Sequence, residues 1–230
     1  MKNKSSLMAD AWGALKQNKA ALFSFVTMSV MVVLVILGPL LSPFAIDQTD
    51  WYQLSAKPSF SSGHIFGTDD LGRDLFVRVM YGGRISLMVG LVATMVSVFI
   101  GVSYGAISGY LGGKTDAIMM RVVDVLYAMP FLFFVILLMV FFGRSILLIF
   151  IAIGAVNWLD IARIVRGQTL NIKGKEFVDA ARAGGVSNIK IVFKHIVPNL
   201  LGLVVVYVAL TVPQVILVES FLSFLGLGIQ

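Results

Sequence analysis

Residues 85–113 read ISLMVGLVATMVSVFIGVSYGAISGYLGG, an unbroken run without a charged side chain. Coiled as a helix at 1.5 Å per residue, this run is longer than the roughly 30 Å of hydrocarbon in a bilayer. Gly90, Ser97, Gly101, Gly105 and Gly109 recur mostly four apart, so they form one ridge of small residues along that helix. Such a ridge lets a second backbone approach closely, which is how helices associate where lipid removes the hydrophobic drive between them. The stretch therefore predicts a membrane helix packed inside a bundle rather than a lone anchor.

Outward from it, further uncharged runs cover Ala20–Ile46, Val125–Gly143, Ser145–Leu159 and Ile196–Val218. They predict five spans in all, over 20–43, 85–111, 117–142, 145–163 and 198–220. The fourth run is short, so its helix has to continue through Asp160 to about Arg163 to cross the bilayer. The first breaks near Gly38-Pro39 and Pro43, where proline interrupts helical hydrogen bonding. The composition agrees: 58% hydrophobic and 13% charged, with a mean hydropathy of +0.93. The fold class is all-α, a polytopic transmembrane helix bundle. The opening MKNKSS leads into no apolar core before Ala20, so no cleavable leader is read there.

Charge placement orients the bundle. Residues 1–19 hold Lys2, Lys4, Lys16 and Lys19, and residues 160–194 hold Arg163, Arg166, Lys173, Lys175, Arg182, Lys190 and Lys194, eleven of the eighteen basic residues. The segment 44–84 instead carries five Asp against Lys57, Arg73, Arg78 and Arg84. By the positive-inside rule the N-terminal segment 1–19 and the loop 164–197 are cytoplasmic, and the acidic loop lies outside. The net charge of +6 is thus a topology signal and does not call for a nucleic-acid partner. Residues 5–19, with Trp12 among lysines, suit either a helix lying in the lipid interface or a frayed tail.

Several chemistries are excluded. There is no cysteine, hence no disulfide, thiolate metal site or cysteine nucleophile. SGYLGGKT over Ser108–Thr115 nearly spells a phosphate-binding loop, but Ser108 stands where glycine is required and a membrane helix replaces the preceding strand. ATP-driven work would need another subunit. His64 and His195 are too few and too far apart for a metal site, and Asp69, Asp70 and Asp74 match no calcium-loop spacing; no metal or cofactor is expected on this chain. Asp116, Asp124, Asn157, Asp160 and Glu219 fall near span ends. Arg121 with Asp124, and Asp160 with Arg163, stand three apart and can pair on one helix face, unless these groups border a substrate path.

The most informative segment is NIKGKEFVDAARAGGVSNIKIVFKHIVPN, residues 171–199. Lys175 to Ala183 favour helix and Gly184-Gly185 ends it. Ser187 is placed to cap a second helix, with Ile189, Val192, Phe193 and Ile196 on one face, and Pro198 opens the next span. Phe177, Ala180, Ala181 and Gly184, flanked by Glu176, Asp179 and Arg182, form a small-residue face. That face suits docking into another protein's cleft, or belongs to an ordinary amphipathic connector.

This loop resembles the EAA loop of permease subunits of ATP-binding-cassette importers, in which Glu-Ala-Ala, three residues, Gly, nine residues and Ile-x-Leu-Pro follow in order. Here the pattern stands as Asp179-Ala180-Ala181, Gly185 and His195-Ile196-Val197-Pro198, with spacing kept and Asp, His and Val as departures. FGTDDLGRDLFVRVMYGGRISLMVG from Phe66, SGYLGGKTDAIMMRVVDVL from Ser108, WLDIARIVRGQTL from Trp158 and ESFLSFLGLG from Glu219 are similar to the C-type subunits of oligopeptide importers, with their dipeptide counterparts as the nearest alternative. The resemblance implies a type I importer permease in the bacterial inner membrane. It implies coupling to two cytoplasmic ATPases through Glu176, Asp179, Ala180, Ala181, Gly185 and Pro198, and packing through Gly101, Gly105 and Gly109. It further implies a second permease subunit, a periplasmic oligopeptide-binding protein, peptide as cargo, and ATP with Mg used by the partners alone. A sixth span is implied beyond Gln230, with 221–230 opening an outer loop. Substrate-contacting residues are not legible. A secondary transporter or channel is the competing class, but neither a charge relay within the spans nor an inverted repeat is visible.

Overall fold

The computed structural model describes residues 7–142 and 146–226, and the chain divides into two compact units between Ile85 and Ser86. In the first unit, α1 (Leu7–Gln17) is a helix. Asn18 starts α2 (Lys19–Leu41), its Oδ1 accepting the Ala21 N–H at 3.1 Å. This is the side-chain cap that an exposed helix start needs. α2 ends one turn after Pro39, where the Ser42 N–H closes on the Gly38 carbonyl.

The outer segment that follows is held by polar bonds rather than by strands; its only ladder elements among the described residues are two isolated bridges, Thr49 with Arg73 and Thr68 with Asp74. Gly67 and Gly72 have φ of +79° and +73°, and a Cβ there would stand 2.3 Å from the Ala56 carbonyl and 2.2 Å from that of Asp50. Both positions require glycine for conformation and for space. Asp69 accepts the backbone N–H groups of Leu71 and Arg73, both at 2.9 Å. Asp74 caps α3 (Leu75–Leu111) through the Val77 N–H at 2.8 Å. That cap explains why the helix of the second span starts ten residues ahead of the uncharged run. Near the end of this unit Arg84 donates to the Ile36 carbonyl at 2.7 Å.

The second unit contains the rest of α3, then α4 (Gly113–Tyr127), α5 (Phe131–Phe142), α6 (Ile146–Ile172), α7 (Glu176–Ala183), α8 (Asn188–Ile191), a π-helical turn (Val192–Ile196) and α9 (Val197–Phe224). The segment 117–142, read from sequence as one span, is two helices: α4 and α5 meet at 83°. Pro130 lacks the N–H that would continue α4 and biases Met129 away from the helical region, so the break falls there. The span expected over 145–163 begins outside the described residues and from Ile146 onward belongs to α6. Three stretches among the described residues are long and apolar enough to cross a membrane, Lys19–Leu41, Leu75–Leu111 and Asn188–Phe224, and the bent α4–α5 pair makes a fourth if taken as one.

The core of this unit lies where α3, α6, α7, α8 and α9 converge. Val102, Ala106, Ile161, Val165, Val178, Ile191, Ile196 and Leu200 pack together out of solvent. Elsewhere apolar side chains face outward, among them Phe99, Leu217 and Phe224 at 76%, 70% and 87% exposure. Such exposure in water would be a large liability, whereas in lipid it costs nothing.

Candidate coupling site

The loop joining α6 to α9 is anchored rather than loose. α7 starts after Lys175, whose extended backbone (φ −82°, ψ 149°) turns the chain, with no side-chain cap. Acidic Glu176 and Asp179 occupy its first turn and Arg182 its last, the arrangement that the helix dipole favours. The C-terminus is a Schellman closure: Val186 N–H reaches the Ala181 carbonyl at 3.1 Å and Gly185 N–H that of Arg182 at 3.0 Å. Gly185 sits in the left-handed region at φ +74°, as this closure demands. The closure's usual apolar contact is present, since Ala181 and Val186 are both half-buried against the core.

Among the residues of α7, Val178 is fully buried, in the cluster that holds Ile172, Ile191, Val192 and Ile196. It roots the helix. The opposite side presents Glu176, Phe177, Asp179, Ala180, Arg182 and Ala183, all exposed. Asp179 and Arg182 pair at 3.2 Å on this surface; an exposed pair of this kind adds little stability and leaves both charges available to a partner. The result is a short rigid helix with a small, charged, solvent-facing side around Ala180.

α8 follows Ser187, but the Ser187 side chain makes no capping bond. The face expected to bury Ile189, Val192, Phe193 and Ile196 is also redistributed. Ile191, Val192 and Ile196 are buried, while Ile189 and Phe193 are exposed. The π turn over Val192–Ile196 is the cause: the Val197 N–H bonds to the Val192 carbonyl five residues back, so one extra residue enters the turn and rotates the register. Pro198 stands exposed in the first turn of α9, where its missing N–H costs nothing.

Polar and glycine contacts connect this loop to the helices above it. Gly101, Gly105 and Gly109 face α6 so closely that a Cβ would stand 2.8 Å from the Trp158 carbonyl, 2.3 Å from that of Ala162 and 2.8 Å from that of Arg166. At the end of this ridge the Arg166 guanidinium grips Asp116 through two bonds of 2.6 Å. Ser108 donates to the same carboxylate at 2.5 Å. Lys173 donates to the Gly109 carbonyl at 3.0 Å. Tyr110, at the end of α3, donates to Asn188 Oδ1 at 3.1 Å, and Arg182 lies 5.8 Å from its ring centroid. Movement of α7 is thereby transmitted to α3 and α6 through packed backbone and bidentate bonds, with no flexible link between. Val178, Tyr110 and the Asp116–Arg166 pair carry this connection, and sequence reasoning did not single them out for it. Only Tyr110, one residue past the last ridge glycine, had a local signal.

Two expected ion pairs are replaced. Arg163 bonds Asp124 at 2.8 Å and lies over the Tyr127 ring at 4.3 Å, pairing with neither Asp160 on its own helix nor leaving Asp124 to Arg121. Glu219 is 6% exposed and accepts hydroxyl bonds from Ser86 at 2.9 Å and Ser223 at 2.8 Å. Asn157 bonds back to the Ile153 carbonyl at 2.8 Å.

Comparison with known proteins agrees with this geometry. Residues 100–230 match the family described as binding-protein-dependent transport system inner membrane component, and residues 6–58 match the N-terminal TM domain of oligopeptide transport permease C. The oligopeptide transport system permease protein OppC of Escherichia coli K12 is 60% identical over 225 residues, 98% of this chain and 74% of its own length. Its Haemophilus influenzae counterpart is 55% identical over 98% of this chain and 72% of its own. The dipeptide transport system permease protein DppC of Bacillus subtilis is 46% identical over 98% of this chain and 70% of its own. This multi-pass chain belongs to the family of binding-protein-dependent transport system inner membrane components, the permease subunits of ATP-binding-cassette importers.

Proposed function

We propose that this chain forms half of the translocation path of an importer that carries oligopeptides inward across the bacterial inner membrane, with a related permease subunit forming the other half. Its N-terminus is cytoplasmic, a periplasmic binding protein delivers the peptide, and two cytoplasmic ATPases bind and hydrolyse MgATP. The exposed side of α7, centred on Glu176, Asp179 and Ala180, docks into an ATPase. The observation that carries this reading is the combination in α7 of one buried anchor, Val178, with an open small-residue side. A docking helix has to be rigid toward its own subunit and unobstructed toward its partner. Closure of the ATPases then pulls α7, and the glycine-packed α3–α6 pair moves with it as one body.

Ala180→Arg in the reconstituted importer tests the assignment, since Ala180 is exposed and belongs to no core cluster. Peptide uptake and binding-protein-stimulated ATP hydrolysis fall together while the subunit's thermal stability holds. Full uptake by this variant would remove α7 from the coupling role.

A second reading concerns cargo. Among Bacillus subtilis proteins, the dipeptide subunit at 46% identity stands slightly nearer this chain than the oligopeptide subunit at 43%. Uptake of a labelled pentapeptide, competed with dipeptides and with tetrapeptides, separates the two cargo classes.

A further inference from the structure

The outer segment contains a polar notch that transport through the bundle does not use. His64 is 2% exposed and stacks on Phe44 with ring centroids 4.2 Å apart. Its Nδ1 lies 2.8 Å from Asp74 Oδ2. The carboxylate accepts, so Nδ1 carries the proton, and in the neutral ring Nε2 is left as a bare acceptor. No described residue donates to Nε2. The nearest charged atom is Asp50 Oδ2 at 3.9 Å, which is a second acceptor; the other Asp50 oxygen is occupied by the Tyr52 N–H at 3.0 Å. Both acceptors border a cavity of about 190 Å³ walled also by Phe44, Trp51, Tyr52 and Gly72.

Two acceptors across one gap, one of them anionic, require a cationic donor with more than one N–H. A nitrogen about 2.8 Å from each, the usual charge-assisted distance, sees acceptors 3.9 Å apart at roughly 90°, which keeps both hydrogen bonds within about 15° of straight. A tetrahedral zinc ion would instead hold its nitrogen and oxygen ligands about 3.3 Å apart, and no cluster of three or more metal-ligating residues is present among the described residues. The aromatic walls favour an organic cation, through the attraction of positive charge to ring faces. We infer that this notch binds a primary ammonium group, which donates one N–H to His64 Nε2 and a second to Asp50 Oδ2, beside the rings of Trp51 and Tyr52. Two sources supply that chemistry, the free N-terminus of a peptide and a lysine of a protein docked on the outer face.

Because the chain has only two histidines, ¹⁵N-histidine labelling of the full chain in lipid nanodiscs reads the site directly. Titration with n-butylammonium shifts the His64 Nε2 resonance saturably and leaves His195 in place, while tetramethylammonium, which has no N–H, produces no such shift. Asp50→Asn keeps the oxygen that accepts from Tyr52 and weakens butylammonium binding about tenfold to a hundredfold, the worth of a hydrogen bond to a charged group. A shift with trialanine that N-acetylation abolishes identifies a peptide N-terminus as the source. A shift with the periplasmic binding protein that lysine acetylation abolishes identifies a partner's lysine. Equal response to tetramethylammonium, unchanged binding in Asp50→Asn, or no saturable response to butylammonium overturns the inference. None of these measurements depends on uptake, so their outcome is separate from that of the importer reading.

Discussion

Gly105→Ala is the most demanding test of the packing, because the obstacle to a methyl group at that position is backbone. The added Cβ would lie 2.3 Å from the Ala162 carbonyl oxygen and 3.0 Å from the Arg166 nitrogen, both in α6. Ordinary contact begins near 3.4 Å, so α3 and α6 must separate by about 1 Å, and no change of rotamer relieves the clash. Separation also loosens the contacts at Gly101 and Gly109. Overpacking of this kind costs about 1–3 kcal/mol, and the gain in helix propensity from Gly to Ala offsets up to about 1 kcal/mol of it. The net expectation is a loss of about 1–2 kcal/mol. Gly167→Ala in α6 and Gly202→Ala in α9 are controls, since nothing lies within 4 Å of a Cβ at either position; they are neutral or slightly stabilising. Equilibrium unfolding in mixed micelles with increasing sodium dodecyl sulfate, followed by the fluorescence of Trp158 in the α3–α6 contact, gives the ranking. If Gly105→Ala were as stable as Gly167→Ala, the close approach of the two helices would be wrong.

Three further predictions concern the loops. Val178→Ala removes a fully buried side chain and costs about 2 kcal/mol, seen as faster limited proteolysis within 173–186 and weaker coupling of ATP hydrolysis to uptake. Gly185→Ala meets no steric obstacle but places Cβ at φ +74°; it loses about 1–2 kcal/mol in thermal unfolding and keeps the ratio of peptide moved to ATP hydrolysed. At Asp69, burial raises the carboxyl pKa, but bonds from the Arg73 and Leu71 amides and the Arg73 side chain outweigh it, so the group titrates below its ordinary 3.8. Its contribution to loop stability is therefore complete above pH 3.8 and is lost as pH falls through the lowered value. Hydrogen exchange at the Arg73 amide, corrected for intrinsic rates, stays slow down to that range and then accelerates, and Asp69→Asn abolishes the acid transition.

What the sequence disclosed followed from how local each determinant is. The spacing of Gly101, Gly105 and Gly109 lies on one helix and needs only its period to be read. The end of α7 at Gly184-Gly185 is equally local, because a left-handed closing residue is nearly always glycine. The failures are of two other kinds. A single inserted residue in the π turn exchanged Ile189 and Phe193 for Ile191 as buried positions, and no periodicity argument anticipates an insertion whose cause is packing against neighbouring helices. Pairings between separate helices, Asp124 with Arg163 and Asp116 with Arg166, have no sequence signal at all; the local rule that pairs residues three apart assigned Arg163 to Asp160 instead. The outer segment was legible only as acidic. The roles of Asp69 and Asp74 depend on turns whose glycines, Gly67 and Gly72, are set by contacts with Ala56 and Asp50.

The central claim is that α7 is the point at which an ATPase takes hold of this chain. The chain has no cysteine, so Ala180→Cys introduces a unique thiol at the centre of the exposed side. In membranes containing the assembled importer, oxidation or a short bifunctional maleimide is predicted to join this position to an ATPase subunit, with a yield that changes when ATP is added. Cysteine at Ile189, exposed on α8, serves as the neighbouring comparison. Absence of any Ala180→Cys adduct with an ATPase in an importer that still transports peptide would contradict the account.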